Sequence, residues 1–320
     1  MKGWRRWAVP ALVALVALAG CGGGGGGGGA DSRRLSIATG GTGGVYFVYG
    51  GGLAKLITSS LEGYEATAEV TSASVDNMTL IGDEKTAVAF TLADTASDAV
   101  QGRGSFKEQV PAQALARLYT NYTQVVATAG KGIDRIEDLK GKRVSVGSPN
   151  SGTEVIALRI LEAAGLDPDD LRRQQLGVAE SVQAVKDGSL DAFFWSGGLP
   201  TGAVTDLATS RKIVLLPTDE YVQPLRSQYG EVYAETTIEG GIYKGVADGV
   251  AVIGVPNYLV VNRSMSEDLA YQLTKLLFEK QPELVKVHPE AKNLDRETAQ
   301  QVTPLELHPG AQRYYQEAAG

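Results

Sequence analysis

The chain has 320 residues, with 30 lysines and arginines against 37 aspartates and glutamates, a net charge of −7 at pH 7. This acidic balance, with no basic stretch interleaved with aromatics, argues against nucleic acid as a partner. Cys21 is the only cysteine, so an intramolecular disulfide is excluded and the fold must rest on its core.

The N-terminus reads as an export signal. Lys2, Arg5 and Arg6 precede an apolar run from Ala8 to Ala19. That run is about a dozen residues, too short to cross a bilayer of roughly 30 Å as a helix. A charged start, a short apolar core and small residues before a cleavage point define a secretory leader over residues 1–20. Leu18-Ala19-Gly20-Cys21 resembles the bacterial lipobox, which implies that Cys21 is lipidated and holds the mature chain to the cell membrane on its extracytoplasmic side. Gly22 to Gly29 follow as a flexible coil with a reach of roughly 15 Å, so residues 21–32 are expected to be a tether. Without the leader, 27 basic residues face 37 acidic ones, a mature net charge of −10. Net charge does not decide the sign of a small ligand, because a cleft can oppose it.

After the tether, strands and helices alternate. Leu35 to Ala38 is a short apolar strand, Thr39 to Gly44 a glycine-rich turn, and Tyr46 to Ile57 carries apolar residues at helical spacing. Ala66 to Val70 reads as a strand, Ser74 to Ile81 as a helix, Val88 to Phe90 as a buried strand, and Asp94 to Val100 as a helix. The plan then repeats. Ile136 to Gly141 closes a short helix on glycine, Arg143 to Val146 is a strand, and Thr153 to Ala164 is an amphipathic helix stopped by Gly165. Asp167-Pro168 opens a helix with a cap and a first-turn proline, Ser181 to Asp187 is helical, and Ala192 to Trp195 is a buried strand. Such alternation implies mostly parallel sheets with helices on both faces, an α/β protein. Leu118 to Thr128 and Val250 to Val261 are extended and β-branched or aromatic, and are expected to cross between two lobes as a hinge. Glu267 to Glu279 and the last helices would return to the first lobe. The expected division is 33–123 plus 255–320 for lobe one and 124–254 for lobe two.

Each half contains the same device. Ser36-Ile37-Ala38 runs into Gly40-Gly41-Thr42-Gly43-Gly44 and a helix; Val144-Ser145-Val146 runs into Gly147-Ser148-Pro149-Asn150-Ser151-Gly152-Thr153 and a helix. A helix N-terminus exposes unpaired N–H groups and a partial positive charge, which attract carboxylate or phosphate. In open α/β sheets this position lies at the carboxyl ends of strands, where ligands bind. Two such turns facing each other would grip a small anion from both sides. Ser148, Ser151, Gly152 and Thr153 are candidates, as are Gly41, Thr42, Gly43, Gly44 and Tyr46. Ser151 with Glu154 also fits a capping box, and Ser74 with Asp76 and Asn77 fits an N-cap with an acid in the first turn. Asp94 sits at a strand end, as a ligand group or a cap. Trp195, Ser196, Gly197 and Gly198 form an aromatic strand entering a glycine turn where the second lobe's cleft wall should lie.

Nucleotide and catalytic signatures are missing. Gly41-Thr42-Gly43 is followed by Tyr46 where a dinucleotide fingerprint needs glycine or alanine, and no phosphate-binding loop with Gly-Lys-Ser/Thr occurs. His288 and His308, each before a proline, lack metal-ligand spacing and are expected at the surface. There is no Cys–His pair, no Gly-x-Ser-x-Gly elbow and no His-Glu-x-x-His helix. No metal, no cofactor and no enzymatic activity are expected.

Ala38-Thr39-Gly40-Gly41-Thr42-Gly43-Gly44-Val45-Tyr46 is similar to the opening motif of TAXI-type receptors, the substrate-binding components of tripartite ATP-independent periplasmic (TRAP) transporters. Ser74 to Asn77, Leu139 to Gly147, Ser151-Gly152-Thr153 and Ile242 to Val246 extend the resemblance in order along the mature chain. It implies a two-lobed type II periplasmic-binding fold that closes around glutamate, glutamine or a related dicarboxylate; the protein is separately expected to be a monomer. It also implies a membrane permease driven by an ion gradient as partner. Carried over by position, Gly41, Thr42, Gly43, Tyr46, Ser74, Ser151, Gly152, Thr153 and the Ser196-Gly197-Gly198 turn would line the site. Leu92-Ala93-Asp94 departs from the pattern, since relatives often place a polar residue before that acid. The competing readings are a binding protein of an ABC importer or of a sensor kinase, on the same fold. A third is an enzyme such as a porphobilinogen-deaminase-like transferase, which would need a cysteine or other nucleophile in the cleft, whereas Cys21 lies on the tether.

Overall fold

The computed structural model describes residues 33–319; the leader, Cys21 and the glycine tether lie outside the described residues. Two similar strand units carry the fold. In the first, β1 (Arg33–Ala38) pairs in parallel with β2 (Tyr64–Glu69) on one side and β3 (Val88–Leu92) on the other. The connections are α1 (Val45–Ser60) and α2 (Ser74–Gly82), and α3 (Ala93–Gln101) follows β3. The long strand β4 (Ala112–Thr128) leads to the second unit. There β5 (Arg143–Ser145) pairs in parallel with β6 (Arg172–Gln174) and β7 (Ala192–Gly197), through α4 (Gly152–Ala163) and α5 (Val178–Lys186). Next come α6 (Gly202–Ser210), β8 (Ile213–Leu216), α7 (Val222–Tyr229), β9 (Ala234–Ile238) and the second long strand, β10 (Val250–Asn262). The chain ends with α8 (Glu267–Glu279), α9 (Gln281–Val287) and α10 (Pro309–Ala318).

The long strands join the units. β10 runs antiparallel to β3 over Asn257–Val260, and β4 antiparallel to β7 over Tyr122–Ala127, so the orders β2-β1-β3-β10 and β6-β5-β7-β4 mirror one another. β4 and β10 are themselves neighbours, giving one ten-stranded sheet that passes through both lobes, with β8 on the far end of β4 and β9 on the start of β10. The β4–β10 register shifts between Pro256 and Tyr258, where a proline lacks the N–H that a regular ladder needs. Cores lie on both faces of each unit: Leu53, Ile57, Phe90 and Leu277 in the first, Val182, Phe193 and Leu207 in the second, and a third cluster holding Met78, Leu92, Val146, Ile156 and Phe194 that spans both.

Several local expectations are corrected. α5 begins at Val178, three residues before Ser181, with Gly177 as its cap. Asp167-Pro168 opens only a three-residue 3-10 turn, Pro168–Asp170, with the Asp167 carboxylate accepting from the Asp169 amide at 2.8 Å. The histidines are not surface residues: His308 is 1% exposed, and His288 is half-buried. Each caps a helical turn, its Nδ1 accepting the amide two residues on, from Gly310 and Glu290 respectively, both at 3.2 Å.

One ion pair clamps the edge of the second unit. Arg143 at the start of β5 donates from Nε and Nη2 to the two carboxylate oxygens of Asp191 just before β7, at 2.9 and 2.7 Å, and its own amide donates at 3.1 Å. The guanidinium holds the Asp191 carboxyl down at about 2. A carboxyl depressed in the folded state stabilises the fold above its unfolded value and loses that contribution as pH falls through the folded one. The Arg143–Asp191 contribution should therefore be intact above about pH 4 and fade toward pH 2. Asp191→Asn should lower stability at pH 7 by roughly 1.5–3 kcal/mol, the range for hydrogen bonds to charged groups, and flatten this acid dependence. Denaturant melts of both proteins from pH 7 to pH 2 measure it; parallel pH profiles would show the clamp to be inert.

Candidate functional site

The first two strands of each unit end at helix N-termini, and all four of these open on one cavity. β1 leads through Gly40 and Gly41 to Gly44 and Val45 of α1; β2 leads through Ser72 and Ala73 to Ser74 of α2. β5 leads through Gly147 and Ser148 to Ser151 and Gly152 of α4, and β6 through Leu176 to Gly177 and Val178 of α5. Leu92, Tyr119, Asn121, Trp195, Ser196 and Gly197 complete the walls. The empty space between them is about 560 Å³. The lobes stand closed around it, with Gly152 of α4 packed against Leu92 and Ser74 of the first unit.

Among the described residues, no acidic or basic side chain lines this cavity. Acids do stand in the first turns of α2, α4 and α5, at Asp76, Glu154 and Glu180. Asp76 accepts from the Ser72 amide at 3.1 Å and Glu154 from the Asn150 amide at 2.9 Å, so each carboxylate is taken up by its own loop. The cavity therefore offers backbone amides and hydroxyls. Ser151 caps α4, accepting from the Glu154 amide at 3.0 Å, and the Thr153 hydroxyl accepts from the Ser196 amide at 3.2 Å. Ser74 does not cap α2: the cap is Ala73, at φ 76, and the Ser74 hydroxyl accepts the Leu92 amide at 3.1 Å instead. A left-handed alanine is a costly conformation, here held at the cavity wall. Tyr119, Asn121 and Ser196 are 3%, 2% and 6% exposed, and Tyr119 Oη, Asn121 Oδ1 and Ser196 Oγ have no hydrogen-bond partner among the described residues. Burial pushes the Tyr119 hydroxyl well above its ordinary range, so it stays protonated and able to donate.

Glycines let the lobes meet. A Cβ on Gly152 of α4 would lie 2.6 Å from Leu92 and 2.7 Å from the Ser74 hydroxyl, both in the first unit; one on Gly44 would lie 2.9 Å from the Trp195 ring in the second. The Asp76 amide donates to the Asn150 carbonyl at 3.2 Å across the same seam.

Of the residues singled out in the sequence, Gly41, Gly44, Tyr46, Ser74, Ser148, Ser151, Gly152, Thr153, Trp195, Ser196 and Gly197 line the cavity. Five do not. Thr42 is exposed, and Gly43 faces Val178 and Ala203 beside the cavity. Gly198 packs on Glu290 and Tyr119. Asn77 spends its side chain within the first unit: Nδ2 donates to the carbonyls of Thr39 and Phe90 at 2.7 and 2.8 Å, and Oδ1 accepts from Thr71 at 2.6 Å. Asp94 lies behind the wall, in a buried polar cluster that crosses the lobes. Arg159 of α4 donates to Asp98 at 2.5 Å and to the Tyr233 hydroxyl at 2.6 Å, and stands 3.6 Å from Asp94, to which Tyr233 donates at 3.1 Å. Desolvation raises the Asp94 carboxyl, and the nearby Arg159 charge only partly offsets it. Another cross-lobe contact is made by Glu290, which accepts the Leu199 amide at 2.5 Å.

Tyr119, Asn121, Leu176, Gly177 and Val178 were not legible as site residues. Gly177 directly before Val178, Val182 and Val185 at helical spacing was a usable signal for the fourth helix start; β4 gives no comparable sign of Tyr119 and Asn121.

Residues 37–319 match the model of the NMT1-like family. The chain belongs to that family. Two solved structures share the fold at low identity. A protein described as a periplasmic transporter aligns at a TM-score of 0.55 with 11% identity, over 89% of this chain and 96% of that one. The binding-protein component of an ABC phosphonate transporter from Pseudomonas aeruginosa aligns at 0.53 with 14% identity, over 81% and 79%. The fold is the two-lobed α/β fold of periplasmic binding proteins.

Gly152→Ala should cost the closed arrangement about 1–3 kcal/mol, the usual range for overpacking, while leaving α4 intact because Gly152 has no left-handed φ. Small-angle scattering should show a larger radius of gyration for the variant. An unchanged radius would mean that the seam tolerates the methyl group.

Proposed function

We propose that this chain is an extracytoplasmic solute-binding protein that captures a small carboxylate between its lobes and presents it to a membrane transporter. The observation that carries this is the convergence of four helix N-termini, two from each lobe, on a closed cavity without charged side chains. Such termini hold anions through amides and aligned peptide dipoles. The partnerless buried hydroxyls of Tyr119 and Ser196 add donors that water or ligand must satisfy. The site binds and carries out no chemistry on its solute.

Closure is a hinge motion on β4 and β10 near Tyr122 and Gly254, where the two strands pair midway between the units. The lobes then divide at 33–123 plus 255–320 and 124–254. Arg159 holds the second lobe to Asp94 and Asp98 of the first only in the closed form. The lipobox resemblance supports anchoring through a lipid on Cys21, as a monomer on the outer side of the cell membrane; among the described residues no helix is long and apolar enough to cross it.

The resemblance of the Ala38–Tyr46 motif to TAXI receptors supports a TRAP-type permease as partner and glutamate, glutamine or a related dicarboxylate as solute. An ABC importer is the second reading, favoured by the fold shared with a phosphonate-binding component.

A thermal-melt panel of anions on refolded, ligand-stripped protein tests capture. Ligand at a thousand times its dissociation constant adds roughly 4 kcal/mol, which for this size raises the midpoint by roughly 10 °C. Folded protein with a flat response to every carboxylate, phosphonate and sulfonate would sink the proposal. Arg159→Met should speed ligand release about tenfold or more, because it strands Asp94 and Asp98 buried without a counter-charge on closure. Stopped-flow displacement reads it, and an unaltered off-rate would remove Arg159 from the closing mechanism.

A further inference from the structure

The Trp195 wall of the cavity is held from both lobes. Its ring packs on the start of α1, where a Cβ on Gly44 would lie 2.9 Å from it. The indole Nε1 donates to the Thr201 hydroxyl at 2.9 Å, and that hydroxyl donates to the Gly198 carbonyl at 2.8 Å, so the ring is tied to the turn Gly198–Thr201. Gln124 of β4 donates to the same hydroxyl at 3.2 Å, and the Tyr243 hydroxyl accepts the Thr201 amide at 3.0 Å. These ties lie within the second lobe.

From the first lobe the turn is met by Glu290. It stands on the 3-10 turn Pro289–Asn293 after α9, whose Ala291 belongs to the core shared with α1. One carboxylate oxygen accepts the Leu199 amide and the other the Asn293 side-chain amide, both at 2.5 Å. A Cβ on Gly198 would lie 2.8 Å from Glu290 Oε1 and 3.0 Å from the Tyr119 ring, so the turn lies directly on the carboxylate. Glu290 is 5% exposed, and burial raises its carboxyl although both donors oppose the rise. Taking a carboxylate out of water onto neutral donors costs free energy, while the hydrogen bonds it accepts there are charge-assisted and directional. What Glu290 adds is therefore a directed hold on the Leu199 amide.

We infer that Glu290 is a positioning residue for solute capture: across the lobe seam it holds the Gly198–Thr201 turn, and through Thr201 the Trp195 ring, in place at the cavity wall when the lobes are closed. The inference rests on the solute-capture reading above and adds a residue that does not itself line the cavity. Arg159 meets Asp94 and Asp98 behind the wall; Glu290 acts on a residue of the wall itself.

Trp4 and Trp7 fall in the leader, so Trp195 is the only tryptophan in residues 21–320 and its emission reports this ring alone. Ligand-stripped mature protein is titrated by calorimetry with glutamate, glutamine, 2-oxoglutarate, succinate, methylphosphonate and methanesulfonate. Quenching of Trp195 by acrylamide is then measured at saturation with each acid that binds, and release by stopped flow. In the unaltered protein the bound acid should shield the ring. Glu290→Ala should leave the ring open to quencher at saturation and speed release about tenfold or more, the effect of losing a hydrogen bond to a charged group. Glu290→Gln keeps an oxygen for the Leu199 amide and should restore shielding, with release within about threefold of the unaltered protein. Glu290→Asp keeps the charge but withdraws it by one methylene; it should behave like the alanine variant, and it decides if Glu290→Ala does not fold. A purely structural Glu290 would lower the melting midpoint of the variants without changing shielding or release, and that result overturns the assignment, as does a glutamine variant as impaired as the alanine one. Binding of an acid with none of these changes defeats only the role of Glu290, whereas binding of none of the six defeats solute capture and this assignment together.

Discussion

Each α-helix leaves its first amides without partners, and this fold brings four such ends to one small space between two lobes. In the proposed reading, those amides are met by water when the lobes are apart and by a solute when they are together. Everything else about the site follows from that requirement. Hydroxyls at Ser151 and Thr153 are consumed in holding α4 against its own loop and against β7. Those at Tyr119 and Ser196 have no hydrogen-bond partner among the described residues. Among the described residues no lysine or arginine lines the walls, so the positive field there comes from backbone dipoles.

The same geometry explains the small residues at the seam. Helix ends can converge only if the chains carrying them approach to backbone distance, and Gly44 and Gly152 stand where a methyl group would strike Trp195 and Leu92 of the opposite lobe. Behind the cavity, polar contacts take over from sterics. One guanidinium, Arg159, faces two carboxylates of the other lobe, while Tyr233 both accepts from Arg159 and donates to Asp94. Such a buried cluster adds little net stability over an apolar core, but it fixes which surfaces may meet. Separating it exposes all of its charges at once.

Much of the architecture was legible along the chain. Periodicity located α1, α2, α4 and α8 within a few residues, and the extended runs at 118–128 and 250–261 stood out as the long strands that became β4 and β10. Short polar strands such as β6 and β9 were not legible, since Arg172-Arg173-Gln174 has no apolar alternation and is a strand only because β5 lies beside it. The glycine and serine turns after β1 and β5 pointed to the cavity because glycine, hydroxyl and helix start coincide in sequence. Asn77 and Asp94 carried the same local signs, yet their side chains are consumed elsewhere.

Local sequence thus determined the alternation of strand and helix, the helix starts that can hold an anion, and the long crossing strands. These depend on neighbours within a few residues: turns, caps and hydrophobic period. Tertiary structure decided which helix ends share a cavity, that Tyr119 and Asn121 of β4 join them, and that Asp94 stands beside Arg159 behind the cavity wall. Those outcomes depend on pairings between segments far apart in the chain, Tyr122 with Gly254 and β4 with β7, and no local pattern encodes the distance between two lobes.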